Sequence, residues 1–102
     1  MTPATLGIPL DQLREYCERN GIRKLSVFGS AVRGELTPGS DVDVLVELDP
    51  DRHIGLLRFV EIEQELSALF GGRKIDLATE LSLSPYIRDD VIRRAETLYA
   101  AG

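Results

Sequence analysis

The sequence predicts an α/β domain of the α+β kind: one small mixed sheet with helices packed on one side. Three observations predict it. Residues 41–48 (DVDVLVEL) alternate strictly, with Val42, Val44, Val46 and Leu48 on one face and Asp41, Asp43, Leu45 and Glu47 on the other. Two further strand-like runs stand on either side of it in the chain: residues 22–28, rich in β-formers, and residues 73–79, where Ile75 and Leu77 alternate with Asp76. Between the runs lie segments with apolar residues at helical spacing, closed by Asn20-Gly21 and Gly71-Gly72.

In order, the first eight or so residues carry no pattern that anchors them. Residues 9–20 place Leu10, Leu13, Tyr16 and Cys17 on a helical stripe, and Gly21 stops it. The strand at 22–28 ends at Gly29-Ser30, and residues 30–35 suit one or two helical turns. Residues 36–40 (LTPGS) are a turn-rich loop before the alternating strand. Asp49-Pro50-Asp51 breaks that strand. Residues 54–70 read as the main helix, with Leu56, Leu57, Val60, Leu66 and Leu69 as its apolar stripe. In the strand at 73–79, Asp76 alternates with Ile75 and Leu77. Ser84-Pro85 is an N-cap followed by proline at the first helical position, so a helix runs to about Arg94. The tail fits two readings: Val91, Ala95 and Leu98 suit a helix, and Thr97-Leu98-Tyr99 suits an edge strand.

The 102 residues are enough for one domain, 1–102. The formal charge of -5 argues against direct binding of duplex phosphates, which calls for a basic face. It does not argue against a nucleotide that arrives with a divalent cation. A single cysteine, Cys17, excludes an internal disulfide and a thiolate zinc site, and its helical stripe makes it a small buried hydrophobe. The N-terminus lacks signal-peptide character and no apolar run approaches membrane length, so the cytoplasm is expected and a membrane is not. An exposed sheet edge leaves homo- or hetero-oligomers open.

The chemistry starts with paired carboxylates. Asp41 and Asp43 leave the same face of one strand, with Cα atoms about 6.7 Å apart at a rise of about 3.3 Å per residue. Such a pair can share one metal ion or bracket two. Mg²⁺ takes a few carboxylates and completes its shell with water and phosphate oxygens. Like charges this close cost stability unless a cation sits between them. If the strand at 73–79 pairs beside 41–48 in register, Asp76 joins the cluster. Three carboxylates around two Mg²⁺ ions suit in-line phosphoryl transfer, with Asp76 placed to accept or steer the acceptor's proton. At the other end, Gly29-Ser30 closes a strand and opens a helix, a corner suited to the phosphates of a triphosphate. Taken alone, an Asp-x-Asp is most often a solvated strand face and a Gly-Ser a turn. The ordered combination is more specific than either.

The stretch LSVFGSAVRGELTPGSDVDVLVEL resembles the nucleotidyltransferase motif of the DNA polymerase β superfamily. Residues 10–100, including KIDLAT and SLSPYIRDDVIRRAETLY, are similar to the minimal nucleotidyltransferase (MNT) family. The resemblance implies a polymerase β-like fold and puts triphosphate binding on Gly29 and Ser30. It puts metal binding on Asp41 and Asp43 and the third-acid role on Asp76. Arg33 and Ser40 match supporting positions near the nucleotide. Ala31 departs mildly from the pattern, at a place where a bulkier residue is common. The resemblance further implies ATP as substrate, transfer of AMP to a tyrosine of a HEPN-family toxin, and an antitoxin role. The alternative is a non-catalytic antitoxin that neutralises its partner by occlusion.

Other polar residues read more plainly. His53 is a surface or capping residue before the long helix. Glu61, Glu63 and Glu65 are the wet face of that helix, and Arg88, Arg93 and Arg94 a solvated face of the next. Tyr86 and Tyr99 are packing residues with a wet hydroxyl.

Overall fold

A computed structural model describes residues 8–29, 32 and 41–101. Four strands form one mixed sheet: β1 (Ile22–Phe28), β2 (Val42–Leu48), β3 (Ile75–Ala78) and β4 (Glu96–Ala100), in the order β3-β2-β1-β4. β1 lies antiparallel to both β2 and β4, and β2 runs parallel to β3. Among the described residues, three α-helices of two or more turns accompany it: α1 (Leu10–Asn20), α2 (Leu56–Leu69) and α3 (Pro85–Arg94). A single 3-10 turn, Glu80–Ser82, precedes α3.

The parallel pair needs a crossover, and α2 supplies it. Alternation on β2 then sets the layers. Val42, Val44 and Val46 are buried with Leu25 and Val27 of β1 and Ile75 and Leu77 of β3. Leu13, Tyr16 and Cys17 of α1 and Ile62 and Leu66 of α2 close over them. α3 stands beside the opposite face, where Ile92 and Ala95 share a groove with Ser26, Leu45 and Thr97.

The expected stops hold. α1 ends at Gly21, whose φ of 72° is left-handed and whose N–H bonds to the Cys17 carbonyl. α3 starts at Ser84, whose side chain accepts from the Tyr86 N–H, with Pro85 next. The tail takes the strand alternative, because an open β1 edge lets residues 96–100 satisfy their backbone groups.

Some expectations are corrected. On α2 the buried face is Ile62 and Leu66, flanked by Phe59 and Leu69. Leu56 and Leu57 point outward at 80% and 78% exposure, and Val60 at 40%. The helix starts at Leu56, and of its first turn Phe59 packs against the core. Tyr86 is 97% exposed rather than packed. Glu63 and Glu65 are not merely wet. Glu63 Oε2 accepts the Leu77 N–H at 3.0 Å, capping a donor on the outer side of edge strand β3. Glu65 Oε1 accepts the Tyr16 hydroxyl at 2.6 Å and an Arg58 guanidinium N–H at 3.2 Å, tying α1 to α2. The weak anchoring expected for residues 1–8 falls outside the described residues except at Ile8, which is buried in the core. Of the short helix expected at 30–35, only the helical Val32 is described. Among the described residues, no helix is long and apolar enough to cross a membrane.

Candidate functional site

The face of the sheet away from the core carries the acids. β2 and β3 pair in parallel with Asp43 opposite Asp76. Register partners on neighbouring parallel strands point to the same face, and their strands lie about 4.8 Å apart. The two carboxylates are therefore neighbours. Val42 and Val44, on either side of Asp43, are fully buried, and Ile75 and Leu77 beside Asp76 are buried too. Buried neighbours leave each aspartate no other direction to point.

Asp41 precedes β2 by one residue, and the Val42 N–H bonds to the Lys74 carbonyl at 2.9 Å. Lys74 thereby becomes the cross-strand neighbour of Asp41, and its Nζ lies 3.9 Å from Oδ2. Both side chains are half or more exposed, so this ion pair is weak. Among the described residues, no three His, Cys, Asp or Glu side chains gather closely enough to hold a metal ion. The structure brings Asp43 and Asp76 together and leaves Asp41 turned toward Lys74.

Gly29 closes the corner. β1 places Phe28 opposite Asp43, and the chain then turns at Gly29 with φ of 68°. The Gly29 carbonyl accepts the Val32 N–H at 3.1 Å, which starts the helical turn. A Cβ at position 29 would fall on the Asp43 carboxylate. Glycine is needed here twice, for the left-handed backbone and for the approach of that carboxylate. Ser30, Arg33 and Ser40 lie outside the described residues.

A groove that sequence reasoning missed opens beside this corner. Phe28, Gly29 and Val32 form one wall, and Ile87, Val91, Asp90 and Arg94 of α3 the other. No local pattern places α3 there; its position follows from β4 returning beside β1. Elsewhere Arg88 bonds to the carbonyls of Glu80 and Leu83, so it fastens the 3-10 turn rather than facing a ligand. His53 is exposed. Cys17 is buried, and burial together with Glu18 pushes its thiol up to about 12, which keeps it unreactive.

The donor set suits Mg²⁺. Asp43 and Asp76 offer hard oxygens side by side, Asp41 is one pleat away, and Mg²⁺ needs only one or two carboxylates besides water and phosphate.

Comparison with known proteins shows the family. Residues 10–98 match the nucleotidyltransferase domain family. The chain belongs to that family and is a nucleotidyltransferase. It is 45% identical over 80 residues to the protein adenylyltransferase MntA of Thermococcus cleftensis, covering 78% of each chain. It is similar to a solved structure assigned to the minimal nucleotidyltransferases, with a TM-score of 0.73 and 35% identity, covering 93% of this chain and 94% of that one. The fold also matches a chain of the solved complex of tri-AMPylated Shewanella oneidensis HEPN toxin with its MNT antitoxin. There the TM-score is 0.62 at 17% identity, covering 90% of this chain and 70% of that one.

Proposed function

We propose that this chain is an antitoxin that transfers AMP from ATP to a hydroxyl of a partner protein, a tyrosine of a HEPN-family toxin, in the cytoplasm. The observation that carries the reading is the pairing of Asp43 with Asp76 directly beside Gly29. The name of the Thermococcus relative supports protein adenylylation, and the Shewanella complex supports a HEPN partner. The net charge of -5 disfavours a nucleic-acid acceptor. We assign the whole chain, 1–102, to one catalytic domain.

In this reading Asp41 and Asp43 hold Mg²⁺, two ions when nucleotide is bound, and Asp76 shares that site. Bound Mg²⁺ supplies charge neutralisation on the phosphates and acidifies the attacking hydroxyl. Gly29 and Ser30 receive the triphosphate at the strand end, with Arg33 and Ser40 in support. Asp76, on the exposed edge strand, faces the incoming acceptor and takes or steers its proton. The hydroxyl oxygen bonds to the α-phosphorus, the α–β bridging bond breaks, and pyrophosphate leaves.

A second reading, neutralisation by occlusion alone, is favoured by one observation. Leu56, Leu57 and Val60 give α2 an exposed apolar end suited to a protein surface. One experiment separates the readings. Labelled ATP, Mg²⁺ and the product of the neighbouring gene are incubated with this protein and with Asp43→Asn. Transfer predicts label on the partner with wild type and none with the variant. A variant that neutralises the partner at full strength without labelling it would establish occlusion instead.

A further inference from the structure

Next to the acidic corner stands a concentration of positive charge that the acids do not account for. Arg93 Nη2 lies 2.7 Å and Arg94 Nε 3.1 Å from the same Asp90 oxygen, Oδ1. One carboxylate between two guanidinium groups leaves that trio with net positive charge. Arg94 meets Asp90 through its Nε, as an exposed ion pair. Among the described residues, its two Nη groups have no recorded partner. Arg94 and Asp90 line the groove that Gly29 closes, and Phe28, Val32, Ile87 and Val91 form its apolar walls.

We infer that Arg94 contacts the phosphates of the bound nucleotide and that Asp90 is its positioning residue. The inference rests on the proposed site, which puts the triphosphate at Gly29. A guanidinium held by one edge keeps its remaining donors in a fixed fork, the geometry that binds phosphate oxygens. The need is electrostatic. The open face presents Asp41, Asp43 and Asp76 to a polyanion, and Arg94 supplies opposite charge at the groove rim. The apolar walls then receive the nucleoside, and Phe28 offers an aromatic face to the base.

The test uses the whole chain and three probes with Mg²⁺: α,β-methylene-ATP, inorganic pyrophosphate and adenosine. Arg94→Ala is expected to weaken the first two about tenfold each and to leave adenosine unchanged. Arg94→Lys should recover part of the loss, and Asp90→Asn should cost about threefold because the guanidinium is no longer held. The melting temperature should stay within about 2 °C, since the Arg94 side chain is 67% exposed. Unchanged affinity for methylene-ATP and pyrophosphate in Arg94→Ala would overturn the inference. So would an equal loss for adenosine or a large drop in melting temperature, either of which makes the residue structural. Label transfer by Asp43→Asn is measured alongside. Full transfer there refutes the proposed site itself, whatever Arg94 does.

Discussion

On β2, Val42, Val44 and Val46 enter the core, while Asp43 and Glu47 turn to the other side of the same sheet. The covered face is sealed by two helices and built from residues that are interchangeable so long as they fill space. The open face is built from residues that are not interchangeable, because their placement and charge are what matter. A two-residue period therefore separates stability from chemistry within seven residues of chain. The difference teaches where substitutions should be felt: losses of stability from one side, losses of transfer from the other.

Asp43→Asn breaks the comparison hardest on the open side. Transfer should fall at least about a thousandfold, or about 4 kcal/mol of transition-state stabilisation. The melting temperature should change little, because Asp43 lies outside the buried core. Steady-state labelling and a thermal melt check the two halves together.

Leu66→Ala probes the covered side. Leu66 is fully buried between α2 and the sheet, so truncation should cost about 2–5 kcal/mol. That is a large share of the roughly 5–15 kcal/mol a domain of this size commands. Urea unfolding measures it. Folded variant at low temperature should transfer AMP at close to the normal rate.

Gly29→Ala sits where the two faces meet, and it should show both effects. The left-handed backbone and the collision with Asp43 should cost about 1–3 kcal/mol, with transfer reduced about tenfold or more. A variant that loses stability alone would place Gly29 with the scaffold rather than the site.

Tyr16→Phe is the mildest and belongs to the covered side. It removes the hydroxyl that donates to Glu65, at about 0.5–1.5 kcal/mol, with no effect on transfer. The same pair sets a pH dependence. Hydrogen bonds from Tyr16 and then Arg58 hold the Glu65 carboxyl below its usual range. Its contribution is present above the ordinary glutamate range and is lost as pH falls through the depressed value. Burial, then the bond to Glu65, holds the Tyr16 phenol above its ordinary range, so that contribution is lost as pH rises past it. The variant's stability should therefore vary less than wild type's at both extremes.

Much of this division was legible in the sequence. Strict alternation on β2 marked both faces, and β1 ends where the chain's apolar run ends. The pairing of Asp43 with Asp76 was legible only as a condition, because register depends on how α2 returns the chain. On α2, Leu66 and Leu69 fall on the buried side as the stripe predicts, but Leu56, Leu57 and Val60 do not. A broad apolar stripe does not say which of its residues lie over the sheet. The bonds of Glu63 and Glu65 were invisible for a related reason: their partners, Leu77 and Tyr16, are remote in sequence. The α3 groove depends on β4 pairing with β1, and the tail's pattern fitted helix and strand alike.

Divalent-ion binding reaches the central idea most directly. Mn²⁺ is titrated into the protein in the presence of α,β-methylene-ATP and followed by electron paramagnetic resonance. Wild type is predicted to bind two ions, and Asp43→Asn to lose both at the same concentrations. Equal Mn²⁺ binding by the two proteins would contradict the assignment of the open face as a metal site.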